Sequence, residues 1–402
     1  IPITITATTF CCQEDLPPAL HSNYHHNLKS MMLRYLARNI SRFPSSAPCA
    51  QRAMSSSATN SSTVVDIHTH FLPHSWPNFH KKFGDEPGPW PWMRHDDSGA
   101  MLMSGDEEFR PVNHRCWDID QRVTDMNTDN IDVQIISNTP ILFQYHRPLA
   151  ETIEVAQHFN DHALEMVESS NGRLVTLGQV PLQNTEAACE EASRAMRSGH
   201  VGIQIGNHVG PMDLDAEGLI AFLQHCAEDD IPVLIHPWDM FGRDRMMKYM
   251  MAWTVGMPAE THLSIVALIL SGAFDRLPKK LKICFAHGGG AFAFLLPRLE
   301  NAYLHRDIAR GNAEMPPSFY TDRFSVDSAV FGVGALNLLV ETMGEDRVML
   351  GSDYPFPLGE QRVGKLIRDT HKCGKIDESV RDKLLGGNAI NFFDLKNSSA
   401  KF

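Results

Sequence analysis

From position 64 onward, short apolar runs alternate with longer stretches whose apolar residues recur at helical spacing. The runs are VVDIH (64–68), DVQIISNTP (132–140), RLVTLGQVPL (173–182), VGIQIG (201–206), IPVLIHP (231–237), LKICFAHGG (281–289), FYTDRFSV (319–326) and RVMLGSDYP (347–355). Amphipathic stretches of helix length lie between them, at 117–129, 149–170, 185–198, 215–229, 258–275, 290–309 and 330–343. Two more, at 359–372 and 377–385, follow the eighth run. Strands rich in Val, Ile and Leu that alternate with helices predict βαβ units and a parallel sheet. Eight such units predict an α/β fold closed as a (β/α)8 TIM barrel. An open doubly wound sheet is the rival, and the count of eight disfavours it.

The first connection breaks the rhythm. Residues 71–116 hold PGPWPW, several glycines and the polar run DDSG. A connection of this length is usually functional. It follows the first strand, so it belongs at the C-terminal face of the barrel, where active sites are built. It reads as a lid or small subdomain inserted in a barrel spanning 64–396.

Residues 1–63 read differently. No Asp or Glu occurs from position 16 to 65, and Arg34, Arg38 and Arg42 recur at helical spacing in MMLRYLARNISRF. A serine- and alanine-rich tract follows. Basic, serine-rich and acid-poor is the composition of a mitochondrial transit peptide. A disordered tail, or translated sequence ahead of a start at Met31, Met32 or Met54, fits the same composition. The segment is excluded from the fold, and the expected compartment is cytoplasmic, or mitochondrial if the leader acts as a targeting signal.

Composition narrows the function classes. At 43% hydrophobic and 21% charged the chain resembles an ordinary globular protein, and no run of 18 apolar residues predicts a membrane span. The net charge is −12; the leader holds five basic and two acidic residues, which leaves 31 basic and 46 acidic beyond it, a net of −15. Such a balance argues against nucleic acid as a partner. An anionic substrate needs a local cluster of cations. Of eight cysteines, three lie in the leader and five are scattered without a CxxC pair, as in a reduced protein with no disulfide framework.

The candidate chemistry sits at the ends of the runs. VVDIHTHF ends the first with His68 and His70, which a strand's period of two places on one face. The fifth ends with His236, the sixth with His287 and the eighth with Asp353. One such residue has an ordinary explanation. His236 alone fits a satisfied core histidine, and Asp353 alone fits a helix cap. Five at four strand ends are hard to explain by packing, because buried imidazoles and charges need partners. His68, His70, His236 and Asp353 supply three nitrogens and one oxygen, a set suited to zinc, and leave His287 as an acid–base group beside the metal. The HGGG that His287 opens resembles the oxyanion turn of some esterases, but the GxSxG elbow they require is missing. A rival pair, His158 and His162, lies mid-helix without the Glu of HExxH and reads as structural.

Together VDIHTHFLP, CWD, GIQIG, HPWDM, GMPAETH, FAHGGGAFAF and GSDYPFPLGE resemble the amidohydrolase superfamily, and within it a decarboxylase of tryptophan and kynurenine catabolism. The resemblance runs over 64–393. HxH alone marks only the superfamily; HPWDM with AHGGGAF and DYPFPLGE is far more specific.

The resemblance implies a barrel of the amidohydrolase type and one zinc per subunit, held by His68, His70, His236 and Asp353. It implies His287 as the catalytic acid–base, with Asp353 also at the reacting centre. The fourth run ends IQIGNH without the lysine that bridges two metals in dinuclear relatives. Arg110 matches a substrate-binding arginine in the insertion. Arg298, with Arg306 as a nearby alternative, matches a second arginine donated across a homodimer interface. Trp253, Met240 and Phe356 match pocket positions. The implied substrate is a small conjugated dicarboxylate bearing an enamine and an aldehyde, and the implied reaction is non-oxidative loss of CO2 without a redox cofactor. The region FYTDRFSVDS departs from the family pattern, the insertion matches loosely, and the leader has no counterpart. Rival readings are a decarboxylase of an aromatic hydroxy acid, a metal-dependent hydrolase of the same superfamily, and a non-catalytic relative that binds metal structurally.

Overall fold

A computed structural model of the chain describes residues 63–97 and 99–401; the leader reading falls outside them. Eight strands are joined side by side in the order β1 (Val65–Phe71), β5 (Val133–Asn138), β6 (Leu174–Gln179), β7 (Gly202–Gly206), β10 (Val233–His236), β11 (Ile283–Phe285), β12 (Ser325–Asp327) and β13 (Val348–Met349). Every neighbouring pair is parallel. β13 is only two residues long, so the barrel closes through the chain that follows it. Ile67 N–H donates to Leu350 O at 2.9 Å, Asp353 N–H to His68 O at 2.9 Å and His70 N–H to Tyr354 O at 2.7 Å. The rival open sheet is thereby set aside, and the architecture is the TIM barrel.

The helices follow the predicted stretches closely: Ile119–Asp129, Leu149–Ser169, Thr185–Ser198, Glu217–Glu228, Met257–Leu270, Phe292–His305, Val333–Met343 and Lys365–Lys372. Asn184 caps its helix by accepting from Ala187 N–H at 2.9 Å, and Gly199 ends it in the left-handed region. Two wide π-helical turns, Ala252–Gly256 and Lys383–Gly387, had no sequence signal. The first lengthens the following helix to Ala252–Leu270, which is long and apolar enough to cross a membrane by composition, although Ile265, Leu268 and Ile269 bury one face of it in the barrel core.

One irregularity in β1 organises the interior. Asp66 pairs with Gln134 and Thr69 with Ile136, so Ile67 and His68 together face the single residue Ile135. This bulge shifts the side-chain parity by one. Below it, Val65 and Ile67 pack with Val133, Ile135, Leu177, Leu234, Cys284 and Met349, closed off by Phe393 and Leu395 near the C-terminus. Above it, His68 and His70 face the same interior. An apolar plug therefore supports a polar floor, without a break in the strand. The other strand faces carry Ile136, Ile205, Ile235, Phe285 and Val326 against the helices.

The insertion builds its own antiparallel sheet, β2 (Pro91–Asp96), β3 (Gly99–Ser104) and β4 (Glu107–Val112). Trp90, Phe79 and Leu102 dock it onto Val155 and Phe159 of the helix Leu149–Ser169. Trp90 Nε1 also donates to Glu151 Oε2 at 2.9 Å. A small two-stranded ribbon, β8 (His208–Val209) and β9 (Met212–Asp213), follows β7.

The seventh run needs correction. Pro317–Tyr320 forms a 3-10 turn and Phe324 enters the core, so the strand occupies only Ser325–Asp327. Aromatic residues suit a strand or a packed turn equally well, and here the Pro-Pro step at 316–317 favours the turn.

Candidate metal centre

The strand ends bring His68, His70, His236, His287 and Asp353 together at the C-terminal rim. Ligand atoms of His68, His236, His287 and Asp353 all lie within 4.8 Å of one another. His70 joins them through Nε2, 3.1 Å from His68 Nε2 and 3.2 Å from Asp353 Oδ1. His68 Nε2 stands 3.7 Å from the same oxygen. Four donors around one zinc at about 2.0–2.1 Å are spaced about 3.3 Å apart. The triangle of His68, His70 and Asp353 Oδ1 has that size. His287 Nε2 instead approaches the other oxygen, Oδ2, at 3.8 Å.

Each imidazole is oriented by its Nδ1. His68 Nδ1–H donates to Asp327 Oδ2 at 2.6 Å, His70 Nδ1–H to Asn138 O at 3.3 Å and His236 Nδ1–H to Pro237 O at 2.8 Å. With Nδ1 protonated, each neutral ring presents a bare lone pair at Nε2. Three lone pairs and a carboxylate oxygen then converge in the closed interior. His236 Nε2 is buried with no hydrogen-bond partner among the described residues. Buried polar atoms are normally paired, and convergent lone pairs repel. A cation satisfies all of them together, so the donor set fits a divalent metal.

The electrostatics agree. Burial pushes the His70 imidazole down to about 4, against the pull of Asp353. Burial, and then the neighbouring His287, His68 and His70, drives His236 well below its ordinary value. Both rings are neutral at physiological pH and need shed no proton to ligate. Burial alone lowers His68, but Asp327, with Asp353 and Asp66, outweighs it and the net shift is upward. A proton and a metal therefore compete for His68 Nε2. Burial opposes the Asp353 carboxylate, yet His287 and His70 hold it well below the usual range.

His287 and Asp353 both adopt left-handed backbone conformations, with φ of 54° and 62°. That region is uncommon for non-glycine residues and clusters at functional sites. Gly290, at φ 63°, lets the turn after His287 pass the helix Met257–Leu270; a Cβ there would come 2.1 Å from Pro258 O.

The insertion contributes Arg110. Leu102 pairs with Arg110 and Met103 with Glu108, so Phe109 is the extra residue of a bulge that re-aims its neighbour. The Arg110 guanidinium lies over the Phe356 ring at 4.2 Å, and Phe356 stacks on His70 with centroids 5.3 Å apart. Burial lowers the Arg110 pKa, with Cys116 and Asp353 opposing. Thus Arg110 and Phe356 adjoin the histidines. Met240 lies half-buried beside Gly256, and Trp253 is half-buried in the π-helical turn. Arg298 and Arg306 are exposed on and just after the helix Phe292–His305. His158 and His162 stay on the outer helix, where His158 meets Phe79 and His162 meets Phe71 and Glu165.

Sequence reasoning passed over Asp327, the partner of His68, because it lies one residue beyond the run assigned to the seventh strand. Its position at a strand end, like that of the other five, was the available signal. Gly351 is also required: a Cβ there would come 2.7 Å from Asp327 Cβ and 2.9 Å from His68 Cβ. Buried Asp66 was missed as well. Burial pushes it up to about 7, and it accepts from Ser352 Oγ at 2.6 Å, bracing the backbone next to Asp353.

Residues 65–395 match the Amidohydrolase family model. The chain is 41% identical to 2-amino-3-carboxymuconate-6-semialdehyde decarboxylase of Dictyostelium discoideum, over 83% of this chain and 92% of the relative. It is 32% identical to the protein of that name from Caenorhabditis elegans, over 84% and 96%. Among solved structures, apo IDCase of Metarhizium anisopliae superposes with a TM-score of 0.72 at 23% identity, over 85% of this chain and 100% of that one. That likeness concerns the fold.

Proposed function

This chain belongs to the amidohydrolase family, in company with decarboxylases, and from that premise we propose a zinc-dependent, non-oxidative decarboxylase. The substrate in this reading is 2-amino-3-carboxymuconate 6-semialdehyde, and the products are 2-aminomuconate 6-semialdehyde and CO2, within kynurenine catabolism. The observation that carries the metal is the convergence of three committed Nε2 lone pairs with Asp353 Oδ1. The relatives' shared name carries the substrate.

His68, His70, His236 and Asp353 would hold the ion, one per subunit. When bound, it supplies Lewis acidity and brings the pKa of water down to about 7. The reaction itself is an exchange at one carbon: the bond to the carboxylate breaks, CO2 leaves, and a proton takes its place. His287 is the group that carries this proton. Both of its ring nitrogens are free of hydrogen-bond partners among the described residues. Its Nε2 adjoins Asp353 at 3.8 Å, close to the metal ligands without joining their triangle. Arg110 holds a substrate carboxylate, for which its planar fork is suited. Phe356, touching both Arg110 and His70, sets the distance between that anchor and the metal. Met240 and Trp253 would line the pocket.

Zinc content and CO2 release, measured on one preparation, test the reading. The expected outcome is about one zinc per chain and turnover of the muconate semialdehyde in preference to 2,6-dihydroxybenzoate. Turnover of the aromatic acid alone would overturn the substrate; turnover by metal-free protein would overturn the metal.

A homodimer completes the site in this reading. Phe294 is 76% exposed and lies one helical turn from exposed Arg298, on the same face. Ile308 and Tyr249 are exposed at 89% and 87%. A large apolar side chain in water beside an arginine with no ion pair among the described residues suits a second copy of the chain. The partner subunit's Arg298 would then reach the substrate. Mixing His287→Ala protein with Arg298→Ala protein should regenerate one intact site per hybrid dimer, about a quarter of the wild-type rate at full exchange. No recovery after verified subunit exchange would exclude sharing.

A further inference from the structure

We infer that Asp327 is a positioning residue that serves two functional side chains at once, the metal-site ligand His68 and the proton carrier His287; this rests on the metal reading above. Asp327 is the last residue of β12 and is wholly buried. Its Oδ2 accepts from His68 Nδ1–H at 2.6 Å and from His287 backbone N–H at 2.9 Å. Its Oδ1 accepts from Gly288 N–H at 2.8 Å and Ala329 N–H at 3.0 Å. Four donors surround one carboxylate, two on each oxygen.

This arrangement explains two features that are otherwise unrelated. The first is the tautomer of His68. A carboxylate only accepts, so it fixes the proton on Nδ1 and leaves Nε2 as the lone pair facing the site. The second is the left-handed backbone of His287. That conformation is unfavourable for a residue with a Cβ and persists only where the surroundings impose it. The two successive N–H groups of His287 and Gly288, both anchored on Asp327, are what imposes it. One side chain on the seventh strand therefore sets the orientation of a first-strand ligand and the placement of a sixth-strand imidazole. Whatever moves His68 is transmitted to the His287 turn through a single shared oxygen.

Asparagine is nearly isosteric with Asp327 but has one acceptor oxygen. In either flip its NH2 faces two N–H donors. With the NH2 toward His68, the ring must transfer its proton to Nε2 and lose its lone pair for the metal, or break the contact. With the NH2 toward Gly288 and Ala329, the anchored turn is released.

The test compares wild type and Asp327→Asn in zinc affinity, by competition with a chelator, and in hydrogen exchange of the His287 and Gly288 amides at saturating zinc. Loss of an outer partner of a metal ligand typically lowers affinity roughly 10–100-fold. That loss is expected here, together with at least tenfold faster exchange of the two amides. The Val201 amide, held by Thr176 O in a distant part of the barrel, should keep its wild-type rate. A loss of affinity with unchanged exchange reduces Asp327 to a support for His68 and overturns the inference. So does faster exchange with unchanged affinity. Should the variant not fold, wild type decides alone: stripping zinc should speed exchange at His287 and Gly288, and indifference to zinc overturns the coupling. Wild type that takes up no zinc fails the metal reading and this inference with it; wild type that takes up zinc while Asp327→Asn matches it in both readouts fails the inference alone.

Discussion

Replacing His287 with Ala should leave zinc in place and reduce turnover by roughly 10²–10⁴-fold, the usual worth of a positioned acid–base group. The geometry separates the two effects. His287 Nε2 meets Asp353 at Oδ2, whereas His70 and His68 approach Oδ1. Removing the ring therefore leaves the other donors undisturbed. The backbone cost changes little, because Ala, like His, carries a Cβ that the backbone at φ 54° must accommodate. The Asp327 anchors act on main-chain N–H groups and survive the truncation. The fold and the metal site should thus persist while proton delivery fails. Metal content per chain and kcat on the same sample check this, and imidazole added to the variant should restore part of the rate. A variant with wild-type kcat would remove His287 from the reaction; a variant without zinc would make it a ligand.

His236→Ala should act in the opposite way, with loss of the metal and of all measurable turnover together. His236 Nε2 has no hydrogen-bond partner among the described residues, so in the proposed reading its contribution is to the metal. The thermal melt distinguishes this from simple damage. A ligand that binds only the folded state adds stability of RT ln(1 + [L]/Kd), about 2.7 kcal/mol at 100 Kd. Zinc should raise the Tm of wild type, and the Tm of His236→Ala should ignore it. The metal-free variant should melt somewhat below metal-free wild type, since losing the ring leaves a cavity and removes its bond to Pro237 O, and zinc should not restore the difference. Full zinc occupancy in the variant would exclude His236 from the ligand set.

Much of this arrangement is legible in the sequence itself. Period-two spacing places His68 and His70 together because a strand allows nothing else, and His236, His287 and Asp353 each follow an unmistakable apolar run. What could not be read depended on contacts between distant segments. The bulge at Ile67 and His68 exists only relative to β5. The sheet of the insertion forms because Trp90 and Phe79 have a helix to dock against. Asp327 stood next to a run whose aromatic residues turned out to serve a 3-10 turn and the core. The π-helical turns depend on backbone bonding and carry no compositional mark.

The seam of the barrel has a further meaning. β1 and the segment after β13 are the first and last staves, joined by backbone bonds near Leu350 to Tyr354 and by the bonds of Ser352 to Asp66. His68 and His70 stand on one side of that joint and Asp353 on the other. An ion held by all three, as the proposed reading has it, would be a rivet through the join, linking positions that nearly the whole folded chain separates. Bringing such remote segments together is the most entropically demanding closure in the topology, although the demand grows only slowly with length. The chemistry and the hoop of this vessel would then be fastened by the same pin.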